Sequence, residues 1–372
     1  MSDFPSFQEK YFRKKSGFHH TADSKPGIAA FEHLGDDLEG DENVHWAFDS
    51  FKKSVKNGRL SESNEMCKEM LQSLIHYFLE YSNTSKRVTS RDLDEKLEGF
   101  TAFLKNSKIL TLGMETAIQY LKQRALKIDP NTEIQDIRVI MCDHILNFIK
   151  EKIDLPISLI ANIGSEMIKN SDVVLVYGYS ATVTKTLLKA KETGKSFRVI
   201  VVDSRTQLDG KKTLKQLVRA KIHCTYILIS NVSYHMQEVT RVIMGAEGIY
   251  YNCCLLNTVG TGMICCIASA FRKPVLVCIE NYKMSEKVQM DSFCDNVLYD
   301  GNLLTGTSMY EGDCRITSEL KGFFSPKLLK LNLKYDVTPP KYIDMLITEL
   351  GPIPVSSVPV VLREFRTDEE NS

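Results

Sequence analysis

Apolar residues recur at helical spacing through the first part of the chain, from about Val44 to Ile168. Within each segment they fall on one face of a helix, and Asp129-Pro130 and Pro156 interrupt the pattern as helix ends do. The stripes comprise Met66, Met70, Leu71, Leu74, Phe78 and Leu79; Leu93, Leu97, Phe100 and Leu104; and Met114, Ile118, Leu121 and Leu126. A long fourth helix is expected over 134–153, and residues 43–168 are predicted to form a helical domain.

Strands and helices alternate from residue 172 onward. Two β-branched runs, Val173–Val176 and Val199–Val202, flank a helix-period stretch that ends at Gly194. Units of this kind build a parallel sheet. Further helices are expected over 211–220, 234–243 and 261–271, and further strands over 224–229, 248–252 and 274–279. The pattern predicts an α/β protein in which the N-terminal helical domain precedes a Rossmann-like, doubly wound parallel sheet over residues 169–365.

The remaining segments are expected to be tails, a loop and a closing element. Residues 1–42 are rich in charge and poor in apolar residues, which is typical of disorder. Residues 300–325 are polar and contain glycine, so they are predicted to form a long loop. The carboxyl end is expected to add a strand over 331–337, a helix over 341–350 and an apolar segment through Val361, before a tail over 366–372.

Composition is that of an ordinary globular protein. The 372 residues allow two domains, and 43% are apolar and 25% charged. The formal net charge is zero, which disfavours a direct nucleic-acid partner because affinity for a phosphate backbone comes from clustered Lys and Arg. No apolar run approaches the ~20 residues of a membrane span, and the amino terminus lacks the apolar region of a signal peptide. We expect a cytosolic protein without a membrane contact.

The ten cysteines do not follow the spacing of a metal or redox site. No CxxC occurs, and two pairs, Cys253-Cys254 and Cys265-Cys266, are adjacent in sequence. Neighbouring residues of a strand point to opposite faces, so an adjacent pair chelates poorly there. We predict reduced thiols that pack as small apolar residues, with no metal and no cofactor.

The carboxyl ends of the first two strands mark the place where a ligand would bind. They carry Gly178-Tyr179-Ser180 and Asp203-Ser204-Arg205. A dinucleotide site needs GxGxxG in the first loop, whereas this loop has one glycine followed by Tyr179. The hypothesis of a nucleotide-dependent oxidoreductase is therefore weak, although Asp203 stands about where a ribose-binding acid would.

Motifs for nucleophilic catalysis are lacking as well. The chain has neither GxSxG nor a P-loop lysine, and none of its eight histidines belongs to HExxH. Gly260 and Gly262, at the start of a later helix, either cradle an anion or serve the turn. The residue types alone leave the function open.

Four long motifs carry a resemblance to a known family. They are FRVIVVDSRTQLDGKKTL, GAEGIYYNCCLLNTVGT, KPVLVCIENYKMSEKVQMDSF and LKYDVTPPKYIDMLITELGPIPVSSVPVVLREF. Over roughly residues 43–365 the chain resembles the superfamily of the regulatory subunits of eukaryotic translation initiation factor 2B and of isomerases that act on methylthioribose 1-phosphate or ribose 1,5-bisphosphate. The last motif is most similar to the delta-type branch, although the amino-terminal extension here is shorter than the basic tail common in that branch.

The resemblance also implies where an isomerase would carry its catalytic groups. Those enzymes have a cysteine where Gly178 stands, an aspartate where Glu247 stands, and Asn-Lys where this chain has Asn257-Thr258. Glycine supplies no nucleophile or acid, a longer carboxylate displaces its oxygens by about an ångström, and threonine supplies no cation for phosphate. We expect no catalytic residues and a vestigial pocket, formed by Gly178, Tyr179, Ser180, Arg205, Glu247 and Asn257.

The function that the resemblance implies is that of a non-catalytic regulatory subunit of the guanine-nucleotide exchange factor for initiation factor 2. The implied partners are the beta, alpha, gamma and epsilon subunits of factor 2B, and initiation factor 2 with its alpha subunit phosphorylated or not. Candidates for the subunit interface are Val355, Val358 and Val360, unless their segment is a strand that closes the chain's own core. The alternative function is a sugar-phosphate isomerase or sugar-phosphate-binding protein that uses Arg205, Glu247 and Asn257.

Overall fold

Amphipathic helices open the part of the chain that the structure describes. The structure is a computed structural model, and it describes residues 45–58, 60–80, 90–129, 132–205, 208–293, 296–299 and 331–371. The first helices are α1 (Trp46–Lys56), α2 (Ser63–Glu80), α3 (Ser90–Asn106), α4 (Leu112–Leu126) and α5 (Ile134–Phe148). Most of their apolar stripes are buried as the periodicity predicts: Met70, Leu97 and Leu121 are 0%, 1% and 0% exposed. Leu79 and Leu126, each at or near the end of its helix, are 54% and 63% exposed and do not belong to the buried face.

The expected fourth long helix is interrupted at its carboxyl end. A π-helical turn, Ile149–Asp154, follows α5 and leads into α6 (Leu155–Met167). Pro156 lies at the start of α6, where it lacks an N–H and crowds the carbonyl four residues before it. The Leu155 N–H instead bonds the Lys150 carbonyl five residues back. This wide turn therefore lets the chain pass Pro156 without a break.

A seven-stranded, mostly parallel sheet forms the centre of the α/β part. Its strands are β1 (Val173–Tyr177), β2 (Arg198–Asp203), β3 (His223–Leu228), β4 (Arg241–Met244), β7 (Val275–Cys278), β10 (Met345–Thr348) and β11 (Gly351–Ile353). Their order is β11-β10-β7-β4-β1-β2-β3, and only the β10–β11 pair is antiparallel. Between them run α7 (Ala181–Glu192), α8 (Gly210–Arg219), α9 (Val232–His235) and α10 (Thr261–Ala270), and α11 (Val358–Asn371) closes the described chain. The expected fold class is confirmed.

Helices cover both faces of this sheet. On one face α6, α7 and α8 pack against Val174 and Val176, and on the other α10 and α11 pack in the cluster that contains Leu175. Successive residues of a strand point to opposite faces, so a strand buried on both sides is apolar throughout. This explains the continuous β-branched runs of β1 and β2.

A second, four-stranded sheet was not expected from the sequence. It contains β5 (Gly248–Tyr250), β6 (Leu255–Thr258), β8 (Met284–Ser285) and β9 (Tyr335–Thr338), in the order β8-β5-β6-β9. The strand expected over 248–252 therefore ends at Tyr250 and leaves the main sheet. A tight turn joins β5 to β6, and its left-handed residue is Cys253 at φ 64°. Because glycine usually marks such a turn, a hairpin with cysteine at this position is hard to predict from sequence.

Three predicted elements were wrong in type. Most of the helix expected over 234–243 is absent, because its β-branched end forms β4 beside β1 and β7. The helix expected over 341–350 is a short 3-10 turn followed by β10, since pairing with β7 overrides the helical spacing of its apolar residues. The last apolar segment is a 3-10 turn and then α11, and this helix extends over 366–371, where a tail was expected.

The helical part of the chain ends shortly before the first strand of the main sheet. α6 ends at Met167 and β1 begins at Val173, and a compact unit begins at Trp46. The division into two domains stays a prediction, and the expectations for 1–42 and 300–325 lie outside the described residues. Within the described part, no helix has both the length and the hydropathy to cross a bilayer. The eight described cysteines are unpaired.

Candidate functional site

A small cleft lies at the carboxyl edge of the main sheet, where the sequence predicted a ligand site. It is lined by the end of β1, by Asp203 and Ser204 after β2, and by Glu247, Thr258 and Lys334. Tyr179, Tyr299 and Tyr335 close it, and its volume is about 30 Å³. That volume is enough for about two water molecules. A sugar bisphosphate therefore does not fit this cleft without rearrangement.

Gly178 ends β1 and turns the chain toward α7. Its φ is +61°, a left-handed conformation that glycine adopts without strain. Its N–H donates to the Val202 carbonyl at 2.9 Å, and its carbonyl accepts from the Thr213 hydroxyl at 2.7 Å. Gly178 thus shapes the cleft through its backbone and contributes no reactive group.

Tyr179 and Ser180 complete the loop. Burial raises the pKa of Tyr179, and the Lys212 ammonium lies 5.7 Å from the centre of its ring. Ser180 is the N-cap of α7, since its side chain accepts from the Val183 N–H at 3.4 Å. Tyr179 therefore fills part of the cleft, whereas Ser180 serves the helix.

Glu247 is the carboxylate among the predicted pocket residues, and it lines the cleft together with Asp203 and Asp209. It precedes β5, and its pKa is raised because the group is buried, although Lys334 and Lys283 oppose that shift. Asn257 lies nearby on β6, but its amide donates to the Gly245 carbonyl at 2.9 Å and does not line the cleft. The structure thus brings Gly178, Tyr179 and Glu247 to the cleft.

Arg205 was assigned to the pocket, and the structure does not support that assignment. The residue follows β2 in the turn before α8, where it is exposed and does not line the cleft. Asp203, Ser204 and Asp209 are the residues of this segment that line the cleft. Arg205 therefore does not lie with Gly178, Tyr179 and Glu247 in the cleft.

Lys334 is the cation that lines the cleft, and the sequence reasoning missed it. It precedes β9, which pairs with β6 so that Thr258 faces Tyr335, and the Lys334 carbonyl accepts from the Val259 N–H at 3.0 Å. Its ammonium lies 4.7 Å and 6.0 Å from the ring centres of Tyr335 and Tyr299, and burial lowers its pKa. The cation absent from position 258 is therefore present on the adjacent strand. Only recognition of the β6–β9 pair would have revealed it.

Carboxylates of the chain itself cap the helices that begin at this edge. Glu62, just before α2, accepts from the Ala181 N–H of α7 at 3.0 Å. Asp336 of β9 accepts from the N–H groups of Gly260 and Gly262 at 2.8 and 3.0 Å, at the start of α10. Helix N-termini attract anions. The anion positions of α7 and α10 are therefore already occupied.

A buried polar network joins α2 to the edge of the sheet. Glu280 and Lys283 form an ion pair at 2.9 Å, with side chains 1% and 4% exposed. Asn64 donates to Glu280 at 3.1 Å and accepts from the Tyr282 hydroxyl at 2.6 Å. Burial opposes charge on both ions, but Lys283 holds the pKa of Glu280 below its usual value and Glu280 holds that of Lys283 above it. This network fixes the helical part against the sheet.

The two carboxyl groups that cap α7 and α10 have strongly raised pKa values. Burial raises the pKa of Glu62 to about 7, against the opposing effects of Lys283 and the Ala181 N–H. Burial likewise raises the pKa of Asp336 to about 6, although the N–H groups of Gly262 and Gly260 oppose it. Both groups are used as helix caps and lie among the chain's own partners, so these shifts accompany structural roles.

The predicted interface residues divide into two kinds. Val355 and Val358 are 5% and 0% exposed and belong to the core cluster beneath the main sheet, together with Val361. Val360 is 53% exposed. The segment therefore closes the chain's own core, which was the alternative considered for it, although it does so as a 3-10 turn and a helix and not as a strand. Val360 alone of the three has free surface.

The fold and the cleft define a Rossmann-like α/β protein with an amino-terminal helical part. At the edge of its sheet where ligands usually bind, the chain's own side chains occupy most of the space. The chain belongs to the Initiation factor 2 subunit family, whose sequence profile matches residues 59–355. No group of His, Cys, Asp and Glu side chains in the described part of the chain is arranged to hold a metal ion.

Individual relatives specify the branch. The chain is 32% identical to translation initiation factor eIF2B subunit delta of Schizosaccharomyces pombe over 326 residues, covering 87% of this chain and 69% of the relative. It is 35% identical to the Dictyostelium discoideum eIF2B subunit delta, covering 83% of this chain and 50% of that relative. This chain thus spans about half of the second relative. It is also 26% identical to ribose 1,5-bisphosphate isomerase of Pyrococcus furiosus, over 84% of this chain and 92% of the enzyme.

A solved structure agrees with the delta-type relatives. The chain matches a chain of the tetrameric eIF2B-beta2-delta2 complex from C. thermophilum with a TM-score of 0.71 and 26% identity. The match covers 82% of this chain and 92% of that chain. The relatives and the structure therefore support the delta-type resemblance of the carboxyl-terminal motif.

Proposed function

We propose that the chain is a non-catalytic, delta-type regulatory subunit of the guanine-nucleotide exchange factor for translation initiation factor 2. The observation that carries the proposal is the similarity to eIF2B delta subunits, at 32% and 35% identity over most of this chain. The catalytic exchange step belongs, in this proposal, to another subunit. This chain contributes to the assembly and to the response to phosphorylated substrate.

The absence of isomerase activity is the second part of the proposal. Gly178 provides backbone groups alone at the position of the family's cysteine, and Glu247 and Thr258 replace an aspartate and a lysine. The cleft of about 30 Å³ and the carboxylates at the starts of α7 and α10 support this part, because both disfavour a phosphate ester.

The partners follow from the same similarity. One structural relative is a complex of beta and delta chains. We propose that this chain pairs with a beta subunit and joins alpha, gamma and epsilon subunits in one assembly in the cytosol. Its contact with the alpha subunit of initiation factor 2 would differ between the phosphorylated and unphosphorylated forms, because a phosphoserine adds nearly two negative charges.

A sugar-phosphate isomerase, or a protein that binds a sugar phosphate, is the second candidate function. The observation that favours it is the match to ribose 1,5-bisphosphate isomerase over 92% of that enzyme. Lys334 also supplies a cation to the cleft, next to the strand position from which the family's lysine is missing. The tyrosines that fill the cleft count against this candidate.

Incubation of the full chain with ribose 1,5-bisphosphate and with methylthioribose 1-phosphate separates the two functions. An active isomerase of the superfamily, assayed in parallel, is the positive control. We expect neither turnover nor binding of either ester by calorimetry. Turnover would overturn the proposal of a non-catalytic subunit, and saturable binding without turnover would indicate that the cleft senses a ligand.

A further inference from the structure

Positive charge is concentrated in one stretch of a chain that is neutral overall. The whole chain has 47 basic and 47 acidic residues, yet residues 181–221 contain eleven Lys and Arg and three acidic residues. This stretch comprises α7, β2, α8 and the turn that leads to β3. The rest of the molecule must therefore carry a matching negative excess.

The three acidic residues of the stretch do not neutralise its surface. Asp203 is 1% exposed and accepts from the Tyr226 hydroxyl at 2.8 Å. Glu192 pairs with Lys189 at 3.3 Å, and Asp209 pairs with Lys212 at 3.4 Å. No other acidic residue of this stretch is left to pair with its remaining Lys and Arg side chains.

Six cations remain at the solvent-facing side, and they form what we call the basic surface. Leu187 of α7 and Leu217 of α8 belong to the same core cluster, so the two helices lie on the same face of the main sheet. The six side chains lie on these helices or directly after them, are exposed, and make no ion pair with any described residue. They are Lys185, Lys191, Lys211, Lys215, Arg219 and Lys221.

The arrangement along α8 is unfavourable for the isolated chain. Lys211, Lys215 and Arg219 follow one another at intervals of four residues, which places the charges about 6 Å apart along one helix face. Like charges at this spacing destabilise a helix. An anionic partner would relieve that repulsion, so this pattern of charges favours the binding of an anion.

The exposed residues indicate the class of the partner. Val218 is 57% exposed and lies three residues after Lys215 on the same side of α8. An apolar side chain among cations can contact a peptide that has both carboxylates and an apolar side chain. It would make no favourable contact with a phosphate backbone. Neither α7 nor α8 contains an aromatic residue on which a nucleobase would stack.

We propose that the basic surface on α7 and α8 is a docking site for an acidic segment of a partner protein, one whose Asp and Glu side chains flank an apolar residue. Carboxylates of that segment pair with Lys211, Lys215 and Arg219, and its apolar residue covers Val218. The site is on the outer side of the helices and is separate from the cleft at the sheet edge.

The test measures binding of a labelled probe peptide to the full chain by fluorescence anisotropy. The probe has Glu and Leu at helical spacing, and its controls are the same peptide with Gln for Glu and an oligouridine of equal charge. The variant K211E/K215E/R219E should bind the acidic probe about tenfold or more weakly. The matched variant K96E/K105E/K108E changes the net charge equally at exposed lysines of α3 and the turn after it, and should stay within about twofold.

A second variant separates a protein segment from a nucleic acid. Val218→Ser should weaken binding of the acidic peptide about threefold and leave the oligouridine unaffected, because only the peptide contacts Val218. Tighter binding of the oligouridine than of the peptide, equal binding of the Gln peptide, or equal loss in the two triple variants would each overturn the proposal.

Carbodiimide cross-linking of the chain purified with its stoichiometric partners gives an independent readout. The reagent joins a lysine amine to a nearby carboxylate as an amide. Cross-links from Lys211 or Lys215 to an acidic segment of another chain support the proposal. Cross-links from these lysines to this chain's own residues 32–42 and to no other chain would contradict it.

Discussion

Glu62 is a carboxyl group whose charge depends strongly on the fold. It is 6% exposed, it caps α7 through the Ala181 N–H, and it faces Lys283, Glu280 and Glu65. At the same time burial raises its pKa to about 7. A residue that looks like an ordinary acidic position before a helix thus joins two parts of the molecule.

The raised pKa of Glu62 makes stability depend on pH. A folded pKa above the unfolded value means that the stabilisation is fully present below about 4.5 and is lost as pH rises through about 7. We therefore expect the free energy of unfolding to fall between pH 5 and 8, by up to about 3 kcal/mol from this group. Glu62→Gln should flatten the curve, as measured by urea unfolding at several pH values. The pKa values of Glu349 and Asp336 are also raised, but both residues are present in the variant as well as in the original protein. An equal dependence of the unfolding free energy on pH in the two proteins would therefore contradict this account.

The ion pair between Glu280 and Lys283 should be costly to break from one side only. Lys283→Met leaves Glu280 buried, without its counter-ion and close to Glu62 and Glu247. We expect a loss of about 3–5 kcal/mol in the free energy of unfolding. The double variant Lys283→Met with Glu280→Gln should recover most of that loss, because no unpaired ion remains. A double variant as unstable as the single one would show that the pair is not the source of the effect.

Among the elements, the start of α10 shows how closely two segments approach. Gly260 has φ +105°, and a Cβ there would lie 2.4 Å from the Ile229 Cδ1 and 2.9 Å from the Tyr177 hydroxyl oxygen. That hydroxyl donates to the Val259 carbonyl at 2.5 Å and ties the end of β1 to α10. The glycine is thus required both by its backbone conformation and by the space around it.

Two alanine substitutions separate those requirements. Gly178→Ala introduces left-handed strain without a contact within 4 Å, so we expect a loss of about 1–2 kcal/mol. Gly260→Ala adds displacement of Tyr177 and Ile229, and we expect it to cost at least ~1 kcal/mol more. Chemical denaturation of both variants checks the difference. Equal losses would indicate that the contact at Gly260 relaxes freely.

The predictable elements are those whose pattern agrees with their packing. The stripes of α2 to α4 and the β-branched runs of β1 and β2 were read correctly, because one apolar face or a fully apolar strand leaves a direct periodic signal. β10 was misread because Ile343, Leu346 and Ile347 have helical spacing, and only pairing with β7 makes the segment a strand. Gly178 and Glu247 were found from motifs. Lys334 in the cleft and Glu62 at the start of α7 come from segments distant in sequence, and no local pattern reveals them.

At the scale of the whole molecule, the carboxyl-terminal segment both completes the core and presents new surface. Val358→Asp places a charge in the core and should cost about 3 kcal/mol or more. Val360→Asp lies at an exposed position and should change monomer stability by less than about 0.5 kcal/mol. If Val360 belongs to the pairing surface, its variant should co-purify about tenfold less with a beta subunit while remaining folded. Unchanged pairing would remove Val360 from that surface.

In the proposed function, this chain regulates exchange on initiation factor 2 without catalysing it. The decisive experiment compares the rate of GDP release from initiation factor 2, with its alpha subunit phosphorylated or not, catalysed by the complete complex and by a complex that lacks this chain. We predict that the complete complex is inhibited by the phosphorylated factor and that the complex without this chain is not. Inhibition that persists undiminished when the chain is absent would contradict the account.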